Sequence, residues 1–96
     1  MTKEEIINRA IPILRDNPLV LSCSLFGSYA KNQESENSDI DFLLTLKHSA
    51  SLLDRVEIQL ALEKKMGTRI DVVSPKMLHP YIKEKVNKEK IDFYEH

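Results

Sequence analysis

Ninety-six residues suffice for one hydrophobic core and leave no length for a second, so a single domain spanning residues 1–96 is expected. With 42% hydrophobic and 30% charged residues, and only 2 Gly and 4 Pro, the composition excludes a disordered or fibrous chain. A formal charge of −1 excludes a global electrostatic pull towards nucleic acid or an anionic membrane, leaving only local basic clusters.

Thr2-Lys3-Glu4-Glu5 fits a capping box, with Thr2 as N-cap and Glu5 reaching back from the third helical position. Ile6, Ile7, Ala10, Ile11 and Leu14 then recur at helical spacing, and Pro12 predicts a kink or a shift near Asn8. Asp16-Asn17-Pro18 marks the exit turn. Leu19 to Phe26 reads as a buried strand ending at Gly27. Cys23 lies within it as a small core residue, and a single cysteine rules out an internal disulfide. The polar stretch Lys31 to Ser38 reads as the end of a short helix and a loop. Ser38 to Leu46 is a second strand, with Ile40, Phe42, Leu44 and Leu46 on one face and Asp39, Asp41, Leu43 and Thr45 on the other. Leu52, Leu53, Val56, Leu60 and Met66 mark an amphipathic helix that Gly67 caps. Arg69 to Val73 is a third strand. Ser74-Pro75 opens a third helical region that Pro80 interrupts or restarts, and the closing "KIDFYEH" reads as a short strand or a docked tail. The order predicts an α/β (α+β) fold, a small sheet flanked by helices. No apolar run approaches the roughly 20 residues that span a bilayer, and no signal-peptide pattern opens the chain, so a cytoplasmic location is expected.

Asp39 and Asp41 break an otherwise apolar strand. Two apart, their side chains leave the same face about 6.5–7 Å apart at Cα, where they repel unless a cation joins them. Hard divalent cations such as Mg²⁺ bind through carboxylates together with substrate phosphates. By itself so short a pattern reads sooner as two acids facing solvent at a strand start. Asp71, inside "RIDVV", interrupts a second short strand and can face the same way if the two strands are neighbours; its alternative is an ion pair with Arg69 or Lys47. Three acids on one sheet face suit metal-assisted phosphoryl chemistry. Gly27-Ser28, between a strand and a helix, offers backbone N–H groups and a hydroxyl to phosphate oxygens, although an N-cap role alone accounts for Ser28. Tyr29 is expected to pack, His48, His79 and His96 to serve surface or capping roles, and the lysines from Lys76 to Lys90 to form a solvated face.

Gly27-Ser28-Tyr29-Ala30-Lys31 followed by Ser38-Asp39-Ile40-Asp41 resembles the GS-x-A-[RK]…SD-x-D signature of the polymerase-beta-like nucleotidyltransferase superfamily. With Asp71 as a third acid and this short length, the chain is most similar to the minimal nucleotidyltransferases, the antitoxin half of HEPN/MNT toxin–antitoxin pairs. The resemblance implies a small mixed sheet of polymerase-beta-like fold. It implies that Gly27 and Ser28 hold a nucleoside triphosphate, with Lys31 as a further phosphate contact. Asp39 and Asp41 would bind two Mg²⁺ ions, and Asp71 would complete the catalytic metal site and help activate the acceptor. Lys31-Asn32 departs from the frequent Arg-Gly: lysine keeps the charge without the bidentate fork, and Asn32 adopts a left-handed turn less readily than glycine.

The activity implied is transfer of AMP from Mg-ATP to a hydroxyl, a tyrosine, of a cognate HEPN ribonuclease toxin, with no membrane or direct nucleic-acid partner. Neutralisation of the toxin by binding alone, and nucleotidylation of a small molecule, are the alternatives.

Overall fold

The computed structural model describes residues 1–35 and 38–96; Glu36 and Asn37, in the loop expected between Lys31 and Ser38, lie outside the described residues. Helix α1 (Lys3–Arg15) starts on Thr2, whose side chain accepts from the Glu5 N–H. It continues through Pro12, which lies on its exposed side. Strand β1 (Val20–Phe26) leads directly into the one-turn helix α2 (Gly27–Ala30), then comes β2 (Ile40–Leu46). Helix α3 (Leu52–Met66) opens on a full Ser51/Asp54 capping box and closes on Gly67 at φ +73°. After β3 (Ile70–Val73), a 3-10 turn (Pro75–Met77) precedes α4 (Pro80–Glu89), which Pro80 starts rather than breaks. His79 caps α4, accepting from the Tyr81 N–H through Nδ1. The closing segment is a strand, β4 (Ile91–Glu95).

The four strands form one mixed sheet in the order β3-β2-β1-β4. β1 pairs antiparallel with both β2 and β4, whereas β2 and β3 are parallel, joined by the α3 crossover that parallel pairing demands. Ile40, Phe42 and Leu44 are fully buried against Ile6, Ala10 and Leu14 of α1 and Ile58, Leu62 and Met66 of α3. The period-two reading of β2 therefore holds: its apolar face meets both long helices, and Asp41, Leu43 and Thr45 project from the opposite face. Cys23 and Tyr29 are core residues, as expected.

The phase of α3 differs from the sequence expectation. Ile58, Leu62 and Met66 face the core, while Leu52 is 78% and Leu60 57% exposed, with Leu53 and Val56 also outward. The helix carries apolar residues on two sides, and contact with the sheet selects one of them. The side chosen also lets Gln59 Nε2 donate to the Ile70 carbonyl (3.1 Å) and Glu63 accept from the Ile70 N–H (3.1 Å). These bonds satisfy both backbone groups of the residue just before Asp71 on an edge strand.

Candidate functional site

Parallel pairing of β2 with β3 sets Asp41 opposite Asp71 at the same register position. Their carboxyl groups leave the same sheet face from neighbouring strands, close enough for the charge of one to raise the proton affinity of the other. Burial pushes the half-buried Asp41 carboxyl up from an ordinary 3.8 to about 6, and the charges of Asp71 and then Asp39 push it the same way. Asp39 stands two residues upstream and is exposed, acting on Asp41 through its charge.

The end of β1 closes the site from the other side. Phe26 is the register partner of Asp41, so the chain passes from Phe26 to Gly27 beside the Asp41 carboxylate. Gly27 has φ +75°, and a Cβ there would lie 2.2 Å from Asp41 Oδ2. Only a residue without a side chain allows this approach, which leaves backbone against carboxylate at the mouth of α2. Ser28 is not the N-cap; Phe26 occupies that place, and among the described residues no side chain caps the helix. Lys31 is 3.6 Å from Glu89 of α4, tying the end of α2 to that helix. Asn32 takes φ +57°, the left-handed conformation the sequence suggested it would tolerate.

Asp41, Asp71 and Gly27 are thus brought together, with Ser28 next in the chain. Asp39 and Lys31 flank them. Among the described residues no three carboxylate, imidazole or thiol groups are gathered closely enough to enclose a metal ion by themselves. The donor set nevertheless suits a hard divalent cation: two carboxylates at paired positions of neighbouring strands, one with raised proton affinity, with further ligands to come from a phosphate-bearing substrate. Mg²⁺ would rest on Asp41 and Asp71, with Asp39 supplying outer charge or a further ligand, and would neutralise phosphate charge. Gln59 and Glu63, which hold the Asp71 strand, escaped sequence reasoning because nothing local marks a helix side chain that bonds a strand seven or eleven residues on.

On the same sheet face, starting at Leu43, lies a cavity of about 550 Å³ between the sheet and α4. Ser22, Ser24 and Thr45 form its floor, and Lys83, Asn87 and Lys90 project from the helix side. Ser24 donates to Asp92, which also pairs with Lys90; both contacts hold the Asp92 carboxyl below its usual range. Among the described residues no helix is long and apolar enough to cross a membrane.

Comparison with known proteins places these features in a family. Residues 8–96 match the family model described as polymerase beta, nucleotidyltransferase. A Methanocaldococcus jannaschii protein named for protein adenylyltransferase activity is 39% identical over 92 residues, covering 96% of this chain and 98% of that one. The protein adenylyltransferase MntA of Thermococcus cleftensis is 32% identical over 88 residues, covering 92% of this chain and 89% of that one. A solved minimal nucleotidyltransferase superimposes with a TM-score of 0.82 at 33% identity over 95% of each chain. A toxin–antitoxin crystal structure with AMP-PNP superimposes with a TM-score of 0.78 at 25% identity, covering 94% of this chain and 73% of that one.

Proposed function

The chain belongs to the polymerase-beta nucleotidyltransferase family and is a nucleotidyltransferase; from that premise we propose that it is an antitoxin that transfers AMP from Mg-ATP to a tyrosine hydroxyl of a HEPN-type toxin. The observation that carries this reading is the Asp41–Asp71 pair beneath the Gly27 backbone, two mutually repelling carboxylates that a cation with a triphosphate would relieve. The names of the relatives support protein as the acceptor, and the solved toxin–antitoxin complex with AMP-PNP supports a toxin partner and an adenine nucleotide.

In this reading the Gly27-Ser28 backbone and the Ser28 hydroxyl hold the triphosphate, with Lys31 as a further phosphate contact, and Asp39, Asp41 and Asp71 carry two Mg²⁺ ions. Bound Mg²⁺ supplies charge neutralisation at the phosphates. The tyrosine oxygen attacks the α-phosphorus. The new P–O bond replaces the bond to the bridging oxygen, pyrophosphate leaves, and the hydroxyl proton passes to the Asp71 side of the pair. The cavity under α4 begins one strand position pair from Asp41 and gives the acceptor segment a route to it. The site is expected to act in the cytoplasm, and residues 1–96 to work as one domain.

Incubation with the HEPN-type partner, Mg²⁺ and ATP labelled on either the α- or the γ-phosphate tests this. The expected result is label on a partner tyrosine from the α-phosphate alone, with pyrophosphate released. Label from the γ-phosphate would replace nucleotidyl by phosphoryl transfer. No label alongside a stable complex would make the protein an antitoxin that works by binding alone.

A further inference from the structure

At the other end of the strands, five residues along β2 from Asp41 and therefore about 16 Å away, lies a second cavity of about 600 Å³. Its chemistry is the reverse of the carboxylate site. Lys47, His48, Arg55 and Lys76 line it together with Ser74 and Leu46, and among the described residues none that lines it is acidic. In a chain of net charge −1, this gathers three permanent cations and a titratable imidazole around one hollow.

The three cations come from separate elements. Lys47 follows β2 directly and is fixed by its N–H donating to the Leu19 carbonyl (2.8 Å). Arg55 stands in the first turns of α3, and Lys76 in the 3-10 turn after β3. Among the described residues none of them is in an ion pair. Arg55 is the most telling. Its Nη2 makes one long bond to the Leu44 carbonyl (3.4 Å), and its Nη1 is buried with no hydrogen-bond partner among the described residues. An unpaired buried donor on a charged group is unfavourable, and a ligand oxygen would satisfy it. A guanidinium fork beside two ammonium groups and a hydroxyl matches the oxygens of a phosphate better than a single carboxylate. The volume suits a ligand of nucleotide size, and Leu46 and Pro75 offer apolar surface to a base or ribose.

We propose that this cavity is a second, metal-independent binding site for a phosphate-bearing ligand of nucleotide size, separate from the carboxylate pair. It needs no Mg²⁺, because it offers no carboxylate to hold one. A free nucleotide and an RNA strand carry the same group, so both serve as probes.

The test is calorimetric titration of the full chain in EDTA at low salt with AMP, with ATP and with a short single-stranded RNA. One ATP per chain is expected to bind the wild type and Asp41→Asn alike, weakening as salt rises. Lys47 and Lys76 are exposed, so the double variant Lys47→Ala/Lys76→Ala is expected to fold, to bind about thirtyfold or more weakly, and to keep Mg²⁺-dependent transfer. RNA that competes with ATP and binds more tightly identifies a strand as the ligand; RNA that does not compete identifies the free nucleotide. The proposal is overturned if none of the probes binds in EDTA, or if binding survives the double lysine variant and disappears in Asp41→Asn. Loss of Mg²⁺-dependent transfer in the wild type would count against the catalytic reading alone.

Discussion

Asp41→Asn is expected to lower nucleotidyl transfer by about a thousandfold or more while raising the melting temperature of the metal-free protein at neutral pH. The two effects share one cause. Asp41 is partly withdrawn from water and stands beside the charges of Asp71 and Asp39, so its carboxyl is pushed up from 3.8 to about 6. A carboxyl with a raised folded-state pKa stabilises the fold fully below the unfolded value. That contribution falls as pH rises and is gone above about 6, where the ionised group is a net cost. Discounted for the solvent that reaches a half-buried group, the cost at pH 7 is about 1–2 kcal/mol. The amide in the variant carries no charge and can donate to Asp71, removing it. For a chain of this size that corresponds to a melting temperature about 5 °C or more higher. Differential scanning calorimetry from pH 4 to 8, beside a transfer assay, checks both signs. The wild-type curve should fall relative to the variant between pH 4 and 6. A variant that still transfers, or that melts lower than wild type at pH 7, would sink the account of this pair.

Gly27→Ala is the second large effect, and Gly67→Ala is its control. Both glycines sit at nearly the same positive φ, +75° and +73°, so an alanine pays a similar backbone strain of about 1–2 kcal/mol at each. They differ in what the new methyl meets. At Gly67 no atom of the described residues lies within 4 Å; at Gly27 the methyl falls 2.2 Å from Asp41 Oδ2 and 3.1 Å from its Cγ. Either the carboxylate or the strand end has to move, and a displaced ligand of this kind costs about a hundredfold in rate. Gly67→Ala is expected to melt lower with unchanged transfer, and Gly27→Ala to lose both. Equal activity in the two variants would show that close contact with Asp41 is not why residue 27 is a glycine.

The site was more legible than the packing around it. Asp39, Asp41 and Asp71 stand out because charged residues interrupt short apolar runs, and a period of two fixes which face they leave. What a linear reading left conditional was whether the second and third strands are neighbours; the parallel register of Asp41 with Asp71 resolves it. Gly27 announced itself by position, but the contact that makes it necessary arises from pairing across 14 residues. Other features depend on distant partners and leave no local trace. The Lys31–Glu89 pair joins residues 58 positions apart, and Gln59 and Glu63 hold Ile70 through side chains that look like ordinary helix surface. The phase of α3 was unreadable for a different reason. Leucines on both sides give no single apolar stripe, and the sheet makes the choice. Pro12 does not end its helix, because Ile6, Ala10 and Leu14 hold the element against the core while the proline stands on its exposed side.

The most direct test of the central claim, that the Asp41–Asp71 pair is the cation and nucleotide seat, is the proton count on binding. Titration calorimetry at pH 6, with saturating Mg²⁺ and the non-transferable analogue α,β-methylene ATP, is run in two buffers of different ionisation enthalpy. At its own pKa Asp41 is half protonated, and a cation displaces that proton. Binding is therefore expected to release about half a proton per chain more from the wild type than from Asp41→Asn, and the variant to bind this Mg²⁺-dependent component at least tenfold more weakly. Equal affinity and equal proton release in the two proteins would place the cation elsewhere and contradict the account.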